Sequence, residues 1–115
     1  MRLSLSQKLF KELILNLQDM KKNIIGYGAS ATSTTLISHF ELNHYLSALV
    51  DDNPGKIGTH SPGYHIPVEG FDSLIENPPD VLIILAWRFH KEILQRVSSL
   101  NCKVIIPLPK LTVLN

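Results

Sequence analysis

The sequence predicts an α/β fold, a short parallel sheet covered by helices on both faces. Three observations carry the prediction. Short apolar runs alternate along the chain with stretches of helical periodicity, the pattern of right-handed β–α–β crossovers. Val81-Leu82-Ile83-Ile84-Leu85-Ala86 is apolar throughout, as a strand covered on both faces must be. Asn23-Ile24-Ile25-Gly26-Tyr27-Gly28-Ala29-Ser30-Ala31-Thr32 reads as an apolar strand, a turn built on two glycines and the start of a helix.

Residues 4 to 21 form an amphipathic helix. Ser4 and Gln7 have capping-box spacing, and Ser6 is the alternative cap. Leu9, Leu13, Leu17 and Met20 recur at helical spacing, joined by Phe10 and Ile14, and Lys21 and Lys22 suit the negative end of the dipole. With Leu15 added the stripe is wide, enough to cover the domain's own sheet and to touch something else. The first strand is 23–27 and the next helix runs from Ser30 to Phe40. Tyr45 to Asp51 is the second strand. Residues 52–66, rich in Gly and Pro, form a loop of a length that is usually functional or mobile. Pro67-Val68 is a short edge segment, and Gly70 to Glu76 a short helix stopped by Pro78-Pro79. The strand at 81–86 leads into a helix from Phe89 to Leu100, with Ile93, Leu94, Val97 and Leu100 inward. Cys102 to Ile106 is the last strand, ended by Pro107 and Pro109. The expected order of the four core strands is 2-1-3-4. A flavodoxin-like order with an extra edge segment is the alternative.

Composition narrows the function classes. The chain has 115 residues, enough for one real core, with 44% hydrophobic and 18% charged residues. A formal net charge of +1 gives no bias toward nucleic acid or an anionic membrane. One cysteine, Cys102, excludes an internal disulfide and fits a reducing compartment. No apolar run approaches the roughly 18 residues of a membrane span. A cytoplasmic protein is expected.

Three strand ends fall on one rim, and in open parallel sheets ligands bind outside the carboxyl ends. At the first, Gly26-x-Gly28-x-x-Ala31 fits the loose dinucleotide fingerprint of a Rossmann-like fold. Backbone N–H groups of Gly26, Tyr27, Gly28 and Ala29, with Ser30 and Thr32 at the helix start, then suit a phosphate. The alternative is that small residues merely permit close strand–helix packing. Ser30 itself reads as an N-cap rather than a nucleophile. At the second, Asp51 ends a strand 23 residues after Gly28, near the spacing of a ribose-binding carboxylate. Asp51, Asp52 and Asn53 either bond ribose or sugar hydroxyls or form a strand-end turn. Lys56 either reaches phosphate or is solvated. At the third, Trp87 offers a stacking face and Arg88 a guanidinium fork, or Trp87 caps the sheet as a core residue. The five histidines show no ligand spacing, so no metal site is expected, and no nucleophile–base pair can be argued.

Five segments together carry a resemblance. They are Gly26-Tyr27-Gly28-Ala29-Ser30-Ala31-Thr32-Ser33, Asp51-Asp52-Asn53-Pro54-Gly55-Lys56-Ile57-Gly58, Pro62-Gly63-Tyr64-His65-Ile66-Pro67, Leu85-Ala86-Trp87-Arg88-Phe89 and Pro107-Leu108-Pro109. In this order they resemble the C-terminal domain of S-adenosylmethionine-dependent sugar C-methyltransferases. The resemblance implies a three-part enzyme: a zinc-binding region, a methyl-donor domain with the acid–base residues, then this domain. Its chemistry would be deprotonation beside a keto group and attack of the carbanion on the methyl sulfonium. The last domain would help hold the nucleotide-sugar substrate, dTDP-linked by the resemblance. S-adenosylmethionine and zinc then belong to the upstream parts, and no cofactor or catalytic residue is carried over to this chain. Two departures stand out: Thr32-Ser33 replaces the family's Lys-Gly, and Arg88 replaces Asn after the Trp.

The expectation is therefore a helix at 1–22 that packs on the domain or on a preceding one, and a Rossmann-like nucleotide-sugar-binding domain at 23–115. The chain is read as a fragment or split subunit, inactive alone. A non-catalytic docking module and a free-standing dinucleotide or sugar-nucleotide domain are the alternatives.

Overall fold

The computed structural model describes residues 4–61, 63–108 and 110–114. Pro62 and Pro109, which carry part of the resemblance, and the start of the N-terminal segment lie outside them.

Helix α1 (Leu5–Asp19) begins at Ser4, whose Oγ accepts from the Gln7 N–H while the Gln7 side chain accepts from the Ser4 N–H. Ser6 does not cap the helix. Its Oγ accepts from the Leu111 N–H at 2.7 Å and ties α1 to the C-terminal end. Then follow β1 (Ile24–Tyr27), α2 (Ala31–His39), a 3-10 turn (Leu42–His44), β2 (Leu46–Val50), β3 (Val68–Glu69) and α3 (Asp72–Glu76). The chain ends with β4 (Val81–Ile84), a 3-10 turn (Trp87–Phe89), α4 (His90–Val97), β5 (Lys103–Ile106) and β6 (Thr112–Leu114).

The sheet runs β3-β2-β1-β4-β5-β6, parallel except for β6. The four inner strands stand in the order expected from the sequence, and β3 falls on the expected edge segment. β6 was not expected. Its three residues are all exposed and follow prolines, so no apolar run marks it. The last helix is shorter than expected: Phe89 belongs to a separate 3-10 turn ahead of it, and residues 98–100 are a turn rather than its last turn of helix.

Strand residues alternate between two core layers, as a period of two requires. Ile24, Leu49, Ile83 and Ile105 face α1 and α2, meeting Phe10, Ile14, Leu36 and Ile37. Ile25, Val50, Leu82 and Ile84 face α3 and α4, meeting Leu74, Ile93 and Val97. Helix α1 buries Phe10, Ile14 and Leu17 but leaves Leu5, Leu9, Leu15 and Met20 exposed. The stripe is thus wider than the sheet can cover. The loop at 52–66 is pinned rather than loose. Lys56 N–H donates to Asn53 O, Gly58 N–H to Val68 O, Val68 N–H to Thr59 O and Ser61 N–H to Ile66 O.

Candidate functional site at the carboxyl ends of the inner strands

Strands β1, β2 and β4 end side by side, and the chain leaving each builds one rim. The glycine turn follows β1. Gly28 has φ +120° and its N–H donates to Val50 O at 2.7 Å. A Cβ there would lie 2.9 Å from Ser33 Oγ and 3.0 Å from Ala86 Cβ, so both conformation and space demand glycine. Gly26 is buried inside β1, where a Cβ would meet Leu85 Cδ1 at 2.7 Å; it serves strand packing.

Ala29 is held from both ends. Its N–H donates to Asp51 Oδ2 and its carbonyl accepts from Lys56 Nζ, each at 2.9 Å. Two of the turn's amides, those of Gly28 and Ala29, are therefore engaged within the chain. The cause is that β2 ends beside the turn, presenting the Val50 carbonyl to Gly28 and, one residue on, the Asp51 carboxylate to Ala29. Among the described residues, the amides of Ser30, Ala31 and Thr32 have no acceptor. Ser30 caps α2, its Oγ accepting from Ser33 N–H.

The acidic segment divides. Asp51 Oδ1 accepts from Asn53 N–H and Asn53 Oδ1 from Gly55 N–H, successive side-chain turns. Asp51 and Asn53 thus shape the backbone. Asp52 faces elsewhere: its Oδ1 accepts from the Tyr27 hydroxyl at 2.9 Å and pairs with Arg96. The Arg96 guanidinium lies 4.4 Å from the centre of the Phe71 ring. Burial, and then the bond to Asp52, raises the Tyr27 pKa above the ordinary tyrosine value, so its hydroxyl stays a donor.

Three hollows meet at Ser30. The largest, about 420 Å³, lies between the turn and α4 and is lined by Tyr27, Asp51, Asp52, Phe89, Glu92 and Arg96 among others. A second, about 320 Å³, lies between α2 and the 52–66 loop, with Ala29, Lys56 and His60. The third, about 150 Å³, is formed by Ser30, Thr32, Trp87, Arg88 and Phe89. Trp87 is half-buried against both core layers and Arg88 stacks on it at 5.2 Å, so the two wall the smallest hollow rather than the largest. Glu92, Arg96 and Phe71 escaped the sequence reading. The available signal was the placement of Glu92 and Arg96 one turn apart on the helix that follows the third strand end.

The family model of the C-methyltransferase C-terminal domain matches residues 2–109. The C-methyltransferase NovU of Streptomyces niveus is 26% identical over 104 residues, which cover 87% of this chain and 25% of that protein. The chain thus spans about a quarter of the length of this curated relative. A crystal structure of UDP-D-quinovosamine 4-dehydrogenase from Vibrio fischeri shares the fold with a TM-score of 0.56 at 15% identity. It covers 74% of this chain and 76% of that one.

Proposed function

Because the chain belongs to the family of C-methyltransferase C-terminal domains, we propose that it is the part of a sugar C-methyltransferase that holds the nucleotide-sugar substrate. The carrying observation is the meeting of three hollows at Ser30, beside the amides of Ser30, Ala31 and Thr32 that lack acceptors among the described residues. Amides at the positive end of a helix suit a diphosphate. Thr32 adds a hydroxyl and Arg88 a guanidinium beside them, in place of the lysine the family motif carries there. On this reading the methyl donor, zinc and acid–base residues belong to upstream parts, and no residue here is assigned to them. The domain's share of the reaction is to bind and orient the substrate toward the preceding domain. Amide spectra of the chain titrated with thymidine-diphosphate glucose test this. Saturable shifts at Gly28, Ser30, Thr32 and Arg88 are expected, and unchanged spectra at millimolar ligand overturn it.

A docking role is the second reading, favoured by the apolar residues that α1 leaves outward. Leu5 is 74% and Met20 63% exposed. The two readings are compatible, since the rim and α1 occupy different parts of the surface.

A further inference from the structure

The hollows around Ser30 differ in charge. The largest is lined by three carboxylates, Asp51, Asp52 and Glu92, against one guanidinium, that of Arg96. The other two contain Lys56 and His60, or Arg88, and no carboxylate. A diphosphate in the largest hollow would meet net negative charge at close range, where Coulomb repulsion is least screened. A neutral ring bearing hydroxyls meets the opposite situation. Carboxylates accept from hydroxyls, and guanidinium groups donate to them.

We infer that the hollow between the glycine turn and α4 receives an uncharged polyhydroxyl ring, a hexose or pentose, and turns the diphosphate away toward Thr32 and Arg88. This rests on the nucleotide-sugar reading above and assigns parts of the ligand to parts of the site. Asp52 is the central group. Its Oδ1 is held by the Tyr27 hydroxyl and Arg96, while among the described residues its Oδ2 has no partner. An oxygen fixed in place by its twin is ready to accept from a sugar hydroxyl. Arg96 pairs with Asp52 on one side and lies over the Phe71 ring on the other, which turns its guanidinium toward the wall of the hollow. Phe89 stands at the mouth, 63% exposed on a wall shared with the smallest hollow. A large aromatic left in water beside hydrogen-bonding groups suits the apolar face of a ring.

Amide spectra of the full chain with two probes, inorganic pyrophosphate and thymidine-diphosphate glucose, test the division. Pyrophosphate is expected to move Ser30, Thr32 and Arg88 and to leave Asp52, Glu92 and Arg96 still. Thymidine-diphosphate glucose is expected to move both sets. Asp52→Ala should weaken the sugar nucleotide about tenfold, the loss typical of one hydrogen bond to a charged group, while pyrophosphate changes less than about twofold. Glu92→Lys lies on the exposed face of α4 and should let pyrophosphate reach the Asp52 signals. If thymidine-diphosphate glucose binds but moves only the Ser30 set, the division fails and the nucleotide-sugar reading survives. If pyrophosphate moves Asp52 and Arg96 in the unaltered chain, the division also fails. If neither probe moves any signal, both readings fall.

Discussion

The glycine turn and the α4 flank border the same hollow, yet they handle their hydrogen-bonding groups in opposite ways. In the turn, the Gly28 amide is taken by Val50, and both polar groups of Ala29 are taken by Asp51 and Lys56. On the flank, Arg96 and Glu92 are exposed and Asp52 keeps one oxygen without a partner among the described residues. The difference separates groups satisfied within the chain from groups left open at the rim. The glycine turn fixes the rim through bonds made within the chain, and the exposed side chains of α4 border the hollow beside it. Neighbouring Asp51 and Asp52 fall on opposite sides of this division.

The largest effect should come from the turn. Gly28→Ala places a Cβ against Ser33 and Ala86 at a φ that L-residues rarely adopt. Backbone strain of that kind and the forced shift of neighbours together should cost about 3–4 kcal/mol. Urea unfolding would measure it. A loss under about 1 kcal/mol would mean the turn relaxes freely and is not the rigid half of the comparison.

The two aspartates sharpen the contrast at smaller magnitude. Asp51→Ala removes a carboxylate that accepts from the amides of Ala29 and Asn53. Bonds to a charged acceptor of this kind suggest a loss of about 2–3 kcal/mol. Asp52→Ala removes an ion pair whose side chains are 44% and 49% exposed, together with one tyrosine hydrogen bond. Solvent screens the pair, and water replaces the partner, so about 1 kcal/mol or less is expected. Equal losses in chemical denaturation would erase the distinction between a residue that shapes the rim and one that stands open at its edge.

The same contrast explains what the sequence could and could not disclose. The inner strands were legible because Val81–Ile84 and its neighbours are apolar on both faces, a pattern that few other structures tolerate. Ser4 and Ser30 could be read as caps because capping depends on residues three apart. β6 could not be read, because an exposed edge strand carries no apolar signature. Nor could the engagement of Ala29. The amide–Asp51 bond spans 22 residues and the Lys56 bond 27, and only the parallel pairing of β1 with β2 brings them together. Arg96 reaches Asp52 because β4 pairs with β1, which sets the helix after β4 against the end of β2, and nothing local in the sequence signals it.

The smallest expected effect is a pH-dependent change in one stability gap, that of Tyr27, where the two regions touch. Its hydroxyl sits at the end of β1 and donates to Asp52 on the open side. Burial raises its pKa above the ordinary value near 10, so the folded chain keeps the proton where the unfolded chain releases it. With more protons bound to the native state, stability falls as pH rises. The contribution of this group is therefore whole below about pH 10 and declines through the alkaline range above it. Tyr27→Phe should cost about 1 kcal/mol at neutral pH, the usual worth of one hydrogen bond. The gap between the two proteins should then narrow above about pH 10, because phenylalanine has no proton to lose. Parallel urea unfolding at about pH 7 and about pH 10.5 reads the difference directly. A gap that widens with pH would mean that the folded protein ionises this hydroxyl more readily than the unfolded one. Tyr27 would then belong with the open flank rather than with the closed turn.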